Sequence, residues 1–198
     1  KTAIFNLLTG MNQKVSNYPG VTVEQRGGNA QLTDNFTVEI MDMPGTYSLT
    51  PESLDEKIVA QQTLKWLNGT DRPAAIISVV DAGNLSRNLY LTSQVMELGI
   101  PVIIALNMMD RLKQKNQEID SVKLQKMLGA EAVVPMSARE KWGINELQTE
   151  LLNVITKGNI EVCSHIQMVI PKEIEKIINP MSEFLHNQYD YNNYITNV

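Results

Sequence analysis

Four short clusters in this 198-residue sequence carry residue types suited to binding an anion, a divalent cation and a purine base. Asp42-Met43-Pro44-Gly45 follows the β-branched run Thr37-Val38-Glu39-Ile40. A carboxylate at a strand end can hold a magnesium-bound water, and a glycine shortly after it lets its N–H approach a terminal phosphate. Read alone, Asp-x-x-Gly serves equally as a turn whose Asp bonds its own backbone. Asn107-Met108-Met109-Asp110 follows an apolar run from Ile100 to Leu106. An ionised carboxylate only accepts hydrogen bonds, which matches the N1–H and N2–H₂ donors of guanine and repels the acceptor N1 of adenine. An Asn beside it can brace the loop and meet the N7 edge. Ser137-Ala138 comes after Ala132–Pro135, and a backbone N–H there can meet guanine O6. Lys1-Thr2 opens an apolar helical pattern. In a phosphate loop of the form G-x-x-x-x-G-K-[ST], the Lys meets the β- and γ-phosphates and the hydroxyl binds Mg²⁺. Helix N-termini also attract anions on their own account. The glycines of such a loop are expected upstream of residue 1.

Each cluster has a plainer structural reading: a turn, two residues ending a strand, the approach to a helix. Their order is more informative than any one of them. Lys1-Thr2, Thr22, Asp42, Asn107 and Ser137 lie at intervals of 21, 20, 65 and 30 residues. That is the order that assembles a guanine-nucleotide site, with each element in its required strand-to-loop context.

These residues need a scaffold that brings strand ends together. Thr2–Thr9 reads as a helix, with Ile4, Leu7 and Leu8 on one face and Gly10 as its stop. Val23–Ala30 and Asn35–Met41 read as a hairpin, and Ala75–Val80 and Val102–Leu106 as short strands buried on both faces. Ala132–Pro135 is a further short strand. Helices are expected over Glu56–Leu67, Leu85–Leu98, Ser121–Leu128 and Ile144–Ile155, and long polar loops over Met11–Thr22 and Pro44–Asp55. Strands alternating with helices predict an α/β fold with a mostly parallel sheet, whose ligands sit beyond the carboxyl ends of the strands. The chemistry is therefore expected after Met41, Val80, Leu106 and Pro135. From Lys157 the pattern changes. Ile174, Ile177, Ile178, Met181 and Leu185 keep helical spacing, so residues 1–157 form one domain and 158–198 the start of an all-helical subdomain.

Composition narrows the alternatives. No run of about 18 apolar residues is present, so none of these residues is expected to span a bilayer. The one cysteine, Cys163, excludes an internal disulfide and fits a reducing compartment. A net charge of −5 argues against a broad nucleic-acid surface. Cys163 and His165 do not make a zinc shell by themselves. The ten methionines are scattered, as core filler would be.

Longer stretches resemble a known family. Lys1–Gly10, Asn17-Tyr-Pro-Gly-Val-Thr-Val-Glu24, Asp42-Met-Pro-Gly-Thr-Tyr-Ser-Leu49 and Asp81-Ala-Gly-Asn-Leu-Ser-Arg-Asn-Leu-Tyr-Leu91 are similar to the cytosolic G domain of FeoB, the bacterial ferrous iron transport protein B. So is Leu98–Asn107, into which the last of these leads. The second and fourth stretches discriminate, because GTPases in general do not require them. The resemblance implies a Ras-like P-loop GTPase fold of the translation-factor class and a helical domain after it. It also implies an attached membrane-embedded iron pathway at the cytoplasmic face of the bacterial inner membrane, and leaves room for a homo-oligomer. By resemblance, Lys1 holds the β- and γ-phosphates of GTP or GDP, and Thr2 and Thr22 ligate Mg²⁺, with Asp42 acting through water. Gly45 senses the γ-phosphate. Asn107 and Asp110 select guanine, helped by Ser137 and the backbone at Ala138. In this family K⁺ binding goes with an Asn of the glycine-rich half of the phosphate loop, expected upstream of Lys1.

Thr46 follows Gly45 where Ras-type enzymes use a Gln to orient water, so slow intrinsic hydrolysis is expected. The loops Met11–Thr22 and Pro44–Asp55 are expected to order with a γ-phosphate. Two other readings stand beside this one: a nucleotide-dependent interaction switch with negligible turnover, and an Era-like ribosome-associated GTPase, which the acidic charge disfavours.

Overall fold

The computed structural model describes residues 1–10, 13–18, 23–50 and 53–157. The first helix, α1 (Thr2–Thr9), buries Ile4, Phe5 and Leu8 and ends at Gly10, whose φ of 61° is the left-handed stop read from the sequence. The next segment departs from expectation. Residues 11–22 read as a polar loop, yet Gln13–Asn17 forms a strand, β1. It pairs antiparallel with β2 (Glu24–Thr33), with Val15 opposite Arg26. Its sequence, QKVSN, carries no alternation because it is an edge strand whose one apolar side chain, Val15, is exposed. Backbone pairing holds it, and backbone pairing leaves no periodic trace in the sequence.

The predicted hairpin is present and longer than expected at its first strand. β2 runs on to Thr33 and returns as β3 (Phe36–Asp42), with a register irregularity between Gln31 and Thr33. β1, β2 and β3 form one antiparallel sheet. The predicted parallel sheet is built by β4 (Ile76–Asp81), β5 (Val102–Asn107) and β6 (Ala132–Pro135), in the order β4-β5-β6. All six residues of β5 are buried, as its unbroken apolar run requires for a central strand covered on both faces. Its register sets Asp81 beside Asn107 and Leu106 beside Pro135, so the strand ends carrying polar residues lie side by side.

Helices fill both faces. On one, α1 and α6 (Ile144–Thr156) bring Ile4, Leu8, Leu147, Leu151 and Val154 against Ile103, Ala105 and Val134. On the other, Met96, Met109 and Leu112 pack on Val80, Val102, Ile104, Leu106 and Val133. This second face belongs to α3 (Leu85–Met96), α4 (Met109–Gln114) and α5 (Ser121–Leu128). Six residues are too few for α4 to show a period, so the sequence reading passed over it. α2 (Leu54–Leu67) starts at Ser53 with a complete capping box: the Ser53 hydroxyl accepts from Glu56 N, and the Glu56 carboxylate accepts from Ser53 N.

Between β3 and β4 lies an apolar groove of about 530 Å³, lined among others by Val38, Ile40, Ile76, Val79 and Leu151, with Lys1 and Asp42 also on its wall. Among the described residues no helix is long and apolar enough to cross a membrane. The helix expected within Pro171–Leu185 and the boundary at 157/158 lie at or beyond the last described residue, Lys157.

Candidate functional site

The polar strand ends form two groups. The first stands at the ends of β5 and β6. Asn107 is the last residue of β5. Met108 follows with φ 66°, a left-handed conformation that costs a non-glycine residue of order 1 kcal/mol or more. That turn starts α4 at once and places Asp110 in its first turn, back beside the strand ends. Asn107, Asp110 and Ser137 are 8%, 5% and 0% exposed. Buried polar groups need partners, and these have them. The Ser137 hydroxyl donates to Asp110 Oδ1 at 2.8 Å and accepts from Glu140 N at 3.2 Å. The Ala138 N–H donates to Asn107 Oδ1 at 2.9 Å.

The last bond differs from the contact expected of Ala138. Its N–H faces Asn107 rather than standing free for a carbonyl oxygen. With Oδ1 engaged, Asn107 keeps its amide NH₂ as the donor. Ser137 likewise proves to be a brace for Asp110, leaving that carboxylate its second oxygen. The loop that carries them closes on itself: Ser137 and Trp142 exchange both backbone hydrogen bonds, at 3.1 and 3.2 Å. Lys113 lies over the Trp142 ring at 4.7 Å. Gly143, at φ 84°, lies so close to Met136 that a Cβ there would stand 2.5 Å from the Met136 Cβ. The sequence reading missed Met108 and Gly143 as shaping residues. A glycine immediately before a strong helical run was the available signal for the second; nothing marked the first.

The second group stands at the start of α1 and the end of β3. Lys1 Nζ lies 3.0 Å from Asp42 Oδ1, with side chains 38% and 10% exposed. Thr2 is the first residue of α1 and is exposed. Behind Asp42, the buried Tyr18 hydroxyl donates to the Met43 sulfur at 3.5 Å. Burial first, and the Asp42 carboxylate second, push this phenol above its usual range, so it remains a donor. Gly45 is exposed, and among the described residues outside its own chain neighbours nothing lies within 4 Å of where a side chain would begin. Thr22 lies outside the described residues.

Among the described residues no group of three or more His, Cys, Asp or Glu could hold a metal ion. Mg²⁺ does not need one, since it keeps several waters and binds through one or two protein oxygens plus substrate phosphates. The Asp42 carboxylate and the Thr2 hydroxyl are oxygen donors of that kind.

Residues 1–151 match the family model described as ferrous iron transport protein B. The chain belongs to the ferrous iron transport protein B family. It is 40% identical over 188 residues to the Fe(2+) transport protein A/Fe(2+) transporter FeoB fusion protein of Porphyromonas gingivalis, covering 95% of this chain and 21% of that one. The FeoB cytosolic domain of L. pneumophila aligns with a TM-score of 0.79 at 39% identity, over 95% of this chain and 70% of that one. The FeoB cytosolic domain of T. maritima in a GDP form aligns with a TM-score of 0.82 at 34% identity, over the same shares. Its GMPPNP form aligns at 0.77. The α/β fold is thus that of FeoB cytosolic domains. The chain spans about a fifth of the length of the curated FeoB relatives it matches.

Proposed function

We propose that this chain binds guanine nucleotide and hydrolyses GTP slowly, as the cytosolic part of a ferrous iron transporter whose iron pathway lies in an attached membrane domain. The observation that carries this reading is the buried network Asn107–Ala138 and Asp110–Ser137 at adjacent strand ends. It holds a carboxylate acceptor and an amide donor where a purine edge would meet them. Family membership supports it, as do the guanine nucleotides bound by the T. maritima relative in its GDP and GMPPNP forms.

In this reading Asp110 accepts from guanine N1–H and N2–H₂, and Asn107 donates to the N7 edge. Lys1 swings from Asp42 to the β- and γ-phosphates. Thr2 and Thr22 would hold Mg²⁺, with Asp42 acting through water. Bound Mg²⁺ supplies charge neutralisation on the phosphate oxygens. Gly45 N–H meets the γ-phosphate. Slow turnover follows from Thr46. Its hydroxyl donates to Ser48 O and lies 3.4 Å from Glu56 Oε1, so it is engaged within its own loop instead of aimed at a water. A monovalent cation such as K⁺ would assist that positioning. The site takes nucleotide rather than nucleic acid. The cytoplasmic face of the inner membrane is where such a domain would work, as a monomer or a homo-oligomer.

Asp110→Asn tests base recognition. It is expected to weaken GDP binding by about 100-fold or more while raising affinity for xanthine nucleotides, because a site built on one hydrogen-bond pattern rejects its complement strongly. Unchanged GDP affinity would remove the assignment. Single-turnover GTP hydrolysis with and without K⁺ separates slow catalysis from the reading of a switch with negligible turnover.

A further inference from the structure

The stretch Asn84-Leu85-Ser86-Arg87-Asn88-Leu89-Tyr90-Leu91 has no part in the nucleotide contacts just described. In the structure it is most of α3, and the two faces of that helix do different things. The inner face is anchored to β4. Asn88 Oδ1 accepts from Asp81 N at 3.4 Å, its amide donates to Asn84 O at 2.8 Å, and the buried Thr92 hydroxyl meets Ser78 Oγ at 2.8 Å. The outer face carries Arg87, Tyr90 and Gln94, spaced i, i+3 and i+7 and so on one side of the helix. Two of these reach the segment that follows Gly45. The Arg87 guanidinium lies 3.7 Å from the centre of the Tyr47 ring. Gln94 Oε1 accepts from Leu49 N at 3.0 Å, while its NH₂ reaches the Tyr90 hydroxyl at 3.4 Å.

We propose that Arg87 and Gln94 are positioning residues for Thr46–Leu49, latching that segment to α3 until a terminal phosphate draws Gly45 away. The proposal rests on the guanine-nucleotide reading. The latch has its two contacts on one rigid helix face, fixed in turn by Asn88 and Thr92, so the segment cannot shift while keeping both. Tyr47 is two residues from Gly45 and Leu49 four, so any pull on the Gly45 N–H is transmitted at once. A diphosphate leaves the latch closed. A triphosphate must open it, and its affinity is lowered by what the latch is worth. A ligand shifts such an equilibrium only through its different affinities for the two arrangements.

The test measures GDP and a non-hydrolysable GTP analogue by calorimetry, with Mg²⁺, on the native-length protein and its Arg87→Ala, Arg87→Lys and Gln94→Ala variants. The Arg87 contact is solvent-facing and the Gln94 bond only partly buried, so each alanine variant is expected to bind the analogue about three- to tenfold more tightly. GDP binding should stay within about twofold. Arg87→Lys, which keeps a cation over the ring, should fall between wild type and Arg87→Ala. Amide hydrogen exchange across residues 46–50 should quicken in the GDP-bound alanine variants. An analogue affinity that is unchanged, or that moves in step with GDP, overturns the latch and leaves nucleotide binding standing. A wild-type protein that binds neither nucleotide overturns both.

Discussion

Asn107, Asp110 and Ser137 are each less than a tenth exposed and hydrogen-bonded before any ligand arrives, whereas Thr2 and Gly45 face solvent and Lys1 is held by a partly exposed ion pair. The contrast follows from what carries them. The first three sit on and beside the central strands of a parallel sheet, where every polar group had to find a partner in order to fold. The last three sit at a helix start and in the loop after a hairpin strand. The proposed base end is therefore preorganised, its ordering cost met during folding, and the proposed phosphate end would be shaped by what binds it. A nucleotide would be held through its base in either state, and its phosphates would be what the protein responds to.

The largest test of this contrast is aimed at the rigid end. Gly143 has φ 84°, and a Cβ there would stand 2.5 Å from Met136 Cβ and 2.6 Å from Pro135 O. Neither can yield easily, since Met136 is fully buried and the oxygen belongs to the backbone. Gly143→Ala should destabilise the fold by about 3 kcal/mol or more, combining a strained conformation with overpacking. Urea unfolding reads this directly. A loss below about 1 kcal/mol would mean that the base loop deforms freely, and the contrast would fail.

Ser137→Ala is the next step down. It removes the hydroxyl shared by Asp110 Oδ1 and Glu140 N, taking from a buried carboxylate oxygen its Ser137 donor. The expected loss is about 1–3 kcal/mol of stability. GDP affinity should fall about tenfold, because the carboxylate proposed to select the base would no longer be fixed. Ser137→Thr, which restores the hydroxyl, should recover most of the affinity if the methyl fits. An alanine variant as stable and as tight-binding as wild type would show that Asp110 needs no brace.

The same contrast explains what was legible in the sequence. The strands Val102–Asn107 and Ala132–Pro135 announced themselves because burial on both faces demands unbroken apolar runs, and the polar residue ending such a run stands out as chemistry; Ile76–Asp81 was legible by its β-branched run although, against expectation, only Val80 in it is fully buried. The place of Asn107 and Asp110 at a strand end could be read for that reason. The strand Gln13–Asn17 could not, since it is held by backbone pairing and buries no face. The bond from Ala138 N to Asn107 was also hidden, because 31 residues separate the pair and only the register of the parallel sheet joins them. Arg87 could be seen as a distinctive residue of its stretch, but its partner Tyr47 sits forty positions earlier, on a loop that no periodicity places.

The smallest effect is expected at the responsive end. Ser53 caps α2 by a reciprocal exchange with Glu56, and Glu56 Oε1 also lies 3.4 Å from the Thr46 hydroxyl. This links the start of α2 to the segment after Gly45. Ser53→Ala removes one half of the capping box at an exposed helix end and should cost about 1 kcal/mol. Because the cap lies outside both buried clusters, that loss should appear as faster hydrogen exchange over residues 46–57 while amides of β5 stay as protected as in wild type. Local opening of this kind is how low-stability segments differ from the core they are attached to. If protection were instead lost equally from β5 and from residues 46–57, the two ends would unfold as one unit, and the phosphate end could not respond to a ligand while the base end held still.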